Sequence, residues 1–266
     1  MSNTENALCL NADCIATKKH NDKRKLETIT LSNGLSILFV SDPDMNKSSA
    51  AMDVGVGGLE DPQESPGMAH FLEHMLFLGT KKYPDASEYN KYLSSFQGHS
   101  NAYTSSMHTN YYFEVNHDGF AGALDRFAQF FIAPLFNEDL VERELNAVHS
   151  EHQKNLENDM WRVLQVHRGL YAENHPSRKF QTGDKSTLAK VEREQLIAFH
   201  KKYYSANQMK LVLMSSLPHE KMMLMAKDKF SEIPNFDRET LTYPAELYDD
   251  SSLPRLVKVK SIKDIR

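Results

Sequence analysis

One short segment with helix signals at both ends constrains the fold more than any other part of this chain. Ser65 and Pro66 are typical of a helix start and Gly79 of a helix end, so we expect a helix over residues 66–78. At 100° per residue, one face of that helix is apolar and the other is polar. The apolar face carries Met68, Phe71, Leu72, Met75 and Leu76, and the other carries His70, Glu73, His74 and Phe77. The fold must therefore supply a core surface against this helix.

Strand patterns surround this helix along the chain. Residues 28–31 and 35–40 alternate around Ser32, Asn33 and Gly34, which predicts a hairpin. Further strands are expected at residues 50–56, 100–105, 110–115, 210–214 and 256–259, and further helices at 85–98, 120–132, 138–157, 192–204 and 218–230. Asp85 and Glu88 have the spacing of a capping box for the second helix. Together these elements predict an α+β fold, a mostly antiparallel β-sheet packed against several α-helices.

Charge and hydropathy argue against two classes of partner, nucleic acid and membrane. Lys and Arg total 31 against 36 Asp and Glu, a net charge of −5, which disfavours binding to nucleic acid. No apolar run approaches the ~20 residues that span a bilayer, so no membrane partner is expected. The start lacks the pattern of an export signal, which predicts a cytoplasmic protein, or a periplasmic one if a signal was removed. Residues 1–26, which contain both cysteines, predict a flexible leader.

Residues 70–74 form an H-x-x-E-H pattern. Residues four apart on a helix point the same way, so the imidazoles of His70 and His74 would lie one turn apart with Glu73 beside them. Two neutral imidazoles suit Zn²⁺, and the neighbouring carboxylate can act on a metal-activated water. The alternative is a chance pattern on the solvated face of an amphipathic helix.

The helix from about residue 138 offers further ligands. Glu144 and Glu151 are seven residues apart and fall in the middle of its apolar arc. Burying two unpaired carboxylates would cost several kcal/mol each, so each needs a cation or a strong donor. We expect Glu151 to be the third metal ligand and Glu144 to orient a ligand histidine. The alternative is that both carboxylates pair with Arg126, Arg143 or Arg162, and spacing alone does not separate Glu151 from Glu144 as the ligand.

Seven stretches carry a resemblance to a known family. They are residues 70–84, 100–105, 108–113, 124–131, 146–152, 199–207 and 262–266. In these stretches the chain resembles the inverzincin metallopeptidases of the insulinase and pitrilysin family, and it looks closest to the branch of insulin-degrading enzyme. The resemblance covers about residues 27–266, a breadth that is far more specific than the five-residue pattern by itself.

The resemblance implies roles for the polar residues. It implies one Zn²⁺ held by His70, His74 and Glu151, with Glu73 as the general base and Glu144 as the carboxylate that supports a ligand. The separation of Glu151 from His74, 151 − 74 = 77 residues, also suits the family. These assignments agree with the expectation from the helix faces.

The resemblance also implies a substrate site. The family's edge strand would fall on residues 100–103, with Asn101, Ala102 and Tyr103 holding an extended peptide as an added strand. Read without the family, the alternative for Asn101 is a turn residue, and the three aromatic side chains are more typical of a core than of a pocket. Three aromatic residues would line the pocket for the substrate residue before the scissile bond, namely Phe77, Tyr112 and Trp161.

Members of this family resemble clamshells of about four similar domains, and residues 27–266 look like the first, the N-terminal catalytic domain. We therefore expect a zinc endopeptidase domain for short or unfolded peptides, with the C-terminal half of the full-length enzyme as its partner. That half normally contributes an arginine and a tyrosine that grip the substrate, which implies weak or no activity for the isolated piece. The alternative is a non-catalytic half that binds a peptide or a partner domain.

Overall fold

The computed structural model describes residues 7–11, 14–17, 21–249 and 254–261. Within the predicted leader, strands β1 (Ala7–Asn11) and β2 (Cys14–Thr17) pair as an antiparallel hairpin. The rest of residues 1–20 lies outside the described ranges, as does the stretch 262–266 that contributed to the family resemblance. None of the described helices is long and apolar enough to cross a membrane. The cytoplasmic location stays a prediction.

The centre of the structure is one six-stranded sheet. Its strands in space run in the order β3, β4, β8, β5, β7, β6. All neighbours are antiparallel except β4 and β8, which are parallel. The strands are β3 (Lys25–Thr30), β4 (Ser36–Ser41), β5 (Lys47–Val54), β6 (His99–Thr104), β7 (Thr109–Asn116) and β8 (Met209–Ser215). The predicted mostly antiparallel sheet is therefore confirmed, and the predicted hairpin forms its β3–β4 edge.

Eight α-helices accompany the sheet within the described residues. The expected α+β class, with several helices against one sheet, is confirmed. Two of the helices, α5 and α6, have no counterpart in the sequence prediction, because α5 buries no side chain and α6 is a single turn. The helices are α1 (Met68–Leu76), α2 (Glu88–Ser95), α3 (Phe120–Ile132), α4 (Glu138–Leu156), α5 (Asp159–Gly169), α6 (Lys185–Leu188), α7 (Arg193–Tyr203) and α8 (His219–Phe230).

The sheet buries one face and leaves the other partly open. Along β7, buried and half-buried residues alternate, as expected where only one face of a strand packs on a core. The buried set includes Tyr111 and Phe113, whose rings lie 5.5 Å from Phe131 and 5.2 Å from Phe127 of α3. The core thus lies between the sheet and its helices, and it supplies the surface that the apolar face of α1 requires.

The starts of two helices differ from the prediction. α1 begins at Met68 after Gly67 rather than at Pro66, because the carboxylate of Asp61 in the preceding loop accepts the free N–H groups there. The capping box predicted for α2 does not form. The carboxylate of Glu88 instead accepts hydrogen bonds from Arg126 at 2.6–2.9 Å, and Asp85 turns the chain by accepting from Ser87. Tertiary partners therefore replace the local caps.

The strand predicted at residues 256–259 is absent. Leu256 is 86% exposed and Val259 is 40% exposed. This segment runs beside α5, where the Arg162 guanidinium donates to the carbonyl of Lys260 at 2.9 Å. An isolated alternating segment gains no stability as a strand without a neighbouring strand to pair with, and none of the described strands pairs with it.

The aromatic layer between α3 and the sheet should be sensitive to truncation. We expect Phe127→Ala to lower the free energy of unfolding by about 3–5 kcal/mol, because it removes a buried ring and leaves a cavity. Chemical denaturation followed by fluorescence measures this change. Leu224→Ala on α8, where the side chain is 66% exposed, is the control and should change the value by less than about 0.5 kcal/mol. Equal effects of the two substitutions would contradict this description of the core.

Candidate metal centre

The two imidazoles of α1 are each held through their Nδ1 atoms. His70 Nδ1 lies 2.7 Å from the carbonyl oxygen of Thr182, and His74 Nδ1 lies 2.9 Å from Oε1 of Glu144. Because a carbonyl or carboxylate oxygen accepts, both Nδ1 atoms carry the proton and donate it. Both Nε2 atoms are thereby left to face the same point, 3.2 Å apart.

The third predicted ligand lies at that point. Oε2 of Glu151, on α4, is 3.5 Å from Nε2 of His70 and 3.5 Å from Nε2 of His74. These three residues form the one group within the described ranges whose ligand atoms could together hold a metal ion. The spacing left open whether Glu151 or Glu144 meets the Nε2 atoms, and in the structure it is Glu151.

The anionic surroundings favour a positive charge between the rings. Burial lowers the pKa of His74, but its hydrogen bonds to Glu144 and Glu151 outweigh burial and raise that pKa to about 9. The hydrogen bond from His74 also lowers the pKa of Glu151, against the effect of burial. Such a cluster of anions with imidazoles is stabilised by a cation, either a proton or a metal ion.

The distances pass a simple test for zinc. Nitrogen and oxygen ligands bind zinc at about 2.0–2.2 Å, which places tetrahedral ligand atoms about 3.3–3.6 Å from one another. The two separations of 3.5 Å from Glu151 lie within that range, and the 3.2 Å between the two Nε2 atoms is just below it. The donor set of two imidazoles and one carboxylate is also one that zinc enzymes use. The residues therefore fit the ion that the sequence predicts.

The alternative partners of Glu144 and Glu151 were three arginines, and two of these pair with other carboxylates. Arg126 pairs with Glu88 at 2.6 Å and Arg162 with Asp159 at 2.9 Å. Only Arg143 approaches one of the two carboxylates, at 3.8 Å from Oε2 of Glu144. Oε1 of Glu144 still bonds to His74, and none of these ion pairs of the three arginines involves Glu151. Pairing with arginine therefore does not explain the position of Glu151.

Glu73 is buried beside the histidines, with only 6% of its surface exposed. Burial raises the pKa of Glu73, and the neighbouring His70 acts in the opposite direction. Oε2 of Glu73 accepts a hydrogen bond of 2.5 Å from Oγ1 of Thr104, the last residue of β6. A carboxylate whose pKa is raised, beside the candidate metal centre, is suited to accept and return a proton.

A clamp that the sequence analysis missed fixes the start of α1. The buried carboxylate of Asp61 accepts from the N–H of Gly67 at 2.7 Å and of Ala69 at 2.8 Å. Burial raises the pKa of Asp61 to about 7, while these N–H groups and Lys179 act in the opposite direction. Lys179 donates to the carbonyl oxygens of Leu59 and Asp61 at 2.9 and 2.7 Å. No local spacing signals this partnership, because Lys179 lies 118 positions from Asp61.

Thr182 reaches His70 through a close approach of two glycines. Gly67 has φ +96°, and a Cβ there would lie 2.3 Å from Cα of Gly183, so no side chain fits. The contact lays the backbone at residue 182 against the start of α1 and brings its carbonyl oxygen to Nδ1 of His70. Thr182 was also missed in the sequence, where only the glycine after it marks a turn.

The predicted substrate strand lies at the end of the sheet. β6 follows β7 as the last strand in the spatial order, so one side of its backbone has no strand partner in the described part of the chain. Asn101 and Ala102 pair with Tyr112 and Tyr111 of β7, and Tyr103 is 53% exposed. The last residue of this strand, Thr104, contacts Glu73 beside the candidate metal centre.

The three aromatic residues expected to form one pocket lie in separate surroundings. The ring of Phe77 packs on Tyr89, Tyr111 and Phe130 at 5.1–6.2 Å. Trp161, on α5, lines a cavity of about 200 Å³ with His152 and Phe180, and neither Phe77 nor Tyr112 lines it. Tyr112 alternates with the buried residues of β7 and lies on the opposite face of the sheet. Strand alternation places Tyr112 on the face opposite Tyr111, and the substrate pocket stays a prediction.

Comparison with known proteins decides the family. The sequence profile described as Insulinase (Peptidase family M16) matches residues 36–174, which include all the residues around the candidate metal centre up to Glu151. The chain belongs to the insulinase family of peptidases. A second profile of the same family, described as Peptidase M16 inactive domain, matches residues 190–262.

Relatives of this insulinase-family chain are much longer. The insulin-degrading enzyme of Bos taurus is 46% identical over 256 residues, which is 94% of this chain and 25% of that protein. The A-factor-processing enzyme of Saccharomyces cerevisiae is 42% identical over 99% of this chain and 26% of its own length. The crystal structure of pitrilysin has a TM-score of 0.84 and 38% identity, covering 88% of this chain and 26% of that one. The chain thus spans about a quarter of the length of these relatives.

The clamp at the start of α1 predicts a stability effect in this insulinase-family chain. We expect Asp61→Ala to lower the free energy of unfolding by about 2–5 kcal/mol, because two buried N–H groups lose their acceptor. Chemical denaturation measures the change. Asp118→Ala, at an exposed position, is the matched control, with an expected change below about 0.5 kcal/mol. If Asp61→Ala were as stable as the control, local turns rather than the clamp would hold the helix start.

Proposed function

We propose that residues 27–266 are the N-terminal catalytic domain of a zinc endopeptidase that hydrolyses bonds in short or unfolded peptides. The observation that carries the proposal is the convergence of two Nε2 atoms and one carboxylate oxygen within 3.5 Å, next to the buried carboxylate of Glu73. Membership of a peptidase family supports the reaction class.

His70, His74 and Glu151 would hold one zinc ion, and Glu144 would keep His74 in the tautomer whose Nε2 faces the ion. Zinc bound by three protein ligands supplies Lewis-acid activation of water and of the peptide carbonyl group. Thr182 gives His70 the same support that Glu144 gives His74. Glu151 is the most exposed of the three, with 42% of its side chain accessible, so the centre is open on that side.

Glu73 would act as the general base. It would accept a proton from the attacking water and return it to the leaving amine, which a carboxylate of raised pKa does readily. The substrate would lie extended along β6, where Asn101, Ala102 and Tyr103 offer their backbone as a strand partner. The three aromatic residues Phe77, Tyr112 and Trp161 would contact substrate side chains.

About three quarters of the length of these relatives lies outside the part that this chain matches, and that remainder bears on whether this chain is active by itself. This chain covers 25–26% of them, so we propose that a C-terminal half supplies the further groups that grip the substrate. The isolated chain would then be weakly active or inactive. The alternative function, a non-catalytic half that binds a peptide or partner through β6, requires none of the imidazole and carboxylate arrangement around Glu151.

The zinc assignment predicts a difference between two glutamates of α4. The 266-residue chain should bind one equivalent of zinc, and Glu151→Gln should bind it at least about 10-fold more weakly, because a neutral amide replaces the anionic ligand. Zinc titration with elemental analysis measures this. Glu142→Gln, exposed on the same helix, is the control and should match the parent. Full zinc occupancy of Glu151→Gln at low zinc concentration would rule out the ligand role.

The proposed role of Glu73 as general base predicts a loss of cleavage rate without a loss of zinc. With the C-terminal half present, Glu73→Gln should retain zinc and lose about 10²–10⁴-fold in the rate of cleavage of a quenched fluorescent peptide. The exposed Glu64→Gln is the matched control and should cleave as the parent does. Undiminished cleavage by Glu73→Gln would refute its role. A zinc-loaded parent that cleaves no peptide with both halves present would favour the binding alternative.

A further inference from the structure

The orientation of Glu73 depends on a residue to which no role has so far been assigned. Within the described ranges, the one side-chain hydrogen bond to its carboxylate comes from Oγ1 of Thr104, 2.5 Å from Oε2. A carboxylate accepts, so the hydroxyl group is the donor. This bond occupies one oxygen of Glu73 and leaves the other oxygen available.

Other hydroxyl groups near Glu73 are engaged with each other. Tyr111 and Tyr204 are both buried, and their hydroxyl oxygens lie 2.7 Å apart. Their electrostatic interaction with Glu73 shows that they are close to it, but neither donates to the carboxylate. Nothing but Thr104, among the described residues, therefore fixes the rotation of this carboxylate through a side-chain hydrogen bond.

Thr104 also belongs to the proposed substrate strand. It is the last residue of β6, where it pairs with Thr109 of β7, and the preceding residues of β6 present the open backbone edge. Its backbone thus lies in the strand that a peptide would extend, while its side chain reaches α1. The terminal torsion of a glutamate is broad, so a single hydrogen bond makes a large difference to where its oxygens point.

We propose that Thr104 is a positioning residue that holds Oε2 of Glu73 and so directs Oε1 towards the water that attacks the substrate. This inference rests on the proposed function of Glu73 as the base. Thr104 belongs to the strand that would bind the substrate, and its hydroxyl group bonds to Glu73. The hydroxyl group therefore links the position of the substrate strand to the orientation of the base. Loss of such an orientation lowers the rate of the chemical step more than it weakens binding.

The test compares two substitutions in the full-length protein that contains this chain and its C-terminal half. Thr104→Val keeps the branched shape and removes the hydroxyl group, whereas Thr104→Ser keeps the hydroxyl group. For Thr104→Val we expect kcat to fall about 10- to 100-fold, with KM changed less than about 3-fold. Zinc content and the melting temperature should remain those of the parent. Thr104→Ser should restore kcat to within about 3-fold of the parent.

Each other result overturns the inference. A rise in KM with kcat unchanged would assign the hydroxyl group to substrate binding, and equal losses in the two variants would indicate packing alone. If Thr104→Val does not fold, Thr104→Ala takes its place, and the same comparison with Thr104→Ser decides. A fully active Thr104→Val beside an active parent would refute the role of Thr104 and leave the proposed function intact. A zinc-loaded parent without peptidase activity would end both proposals.

Discussion

Two carboxylates of α4 face two imidazoles of α1, and this contact between helices organises the rest of the site. Glu144 holds Nδ1 of His74 at 2.9 Å, and Glu151 lies 3.5 Å from both Nε2 atoms. An arrangement with this much negative charge in a half-buried place is costly unless a cation balances it. The same electrostatic demand raises the pKa of His74 to about 9. The raised pKa of His74 and the fit of the site to a cation therefore have one cause, the two carboxylates of α4.

The surroundings of α1 fix that cluster from three directions. Asp61 and Lys179 hold the helix start, and the close contact of Gly67 with Gly183 brings the carbonyl of Thr182 to His70. From the sheet, the end of β6 reaches Glu73 through a threonine hydroxyl group. His70, Glu73 and His74 thus each have a hydrogen-bond partner outside α1. Such support is what gives a metal site defined ligand directions rather than three mobile side chains.

Local sequence signals failed where tertiary partners competed with them. The predicted capping box of α2 does not form, because Glu88 accepts hydrogen bonds from Arg126 instead. At the start of α1, the carboxylate of Asp61 rather than the predicted cap accepts the free N–H groups. The strand expected at residues 256–259 has no strand beside it, so its alternating pattern had nothing to pair with. At these two helix starts, a local cap worth fractions of a kcal/mol to about 1 kcal/mol was replaced by another side-chain contact.

The sequence by itself determined the elements and their faces. The 3.6-residue period placed His70 and His74 on one side of a helix, and the apolar arc of the helix from residue 138 marked Glu144 and Glu151 as carboxylates in need of partners. Only the tertiary structure decided which of the two glutamates meets the Nε2 atoms. It also decided that Thr182, 112 positions from His70, and Thr104, 31 positions from Glu73, complete the site. Periodicity reports on neighbours within a few turns of chain, whereas these contacts depend on how whole helices and strands pack together.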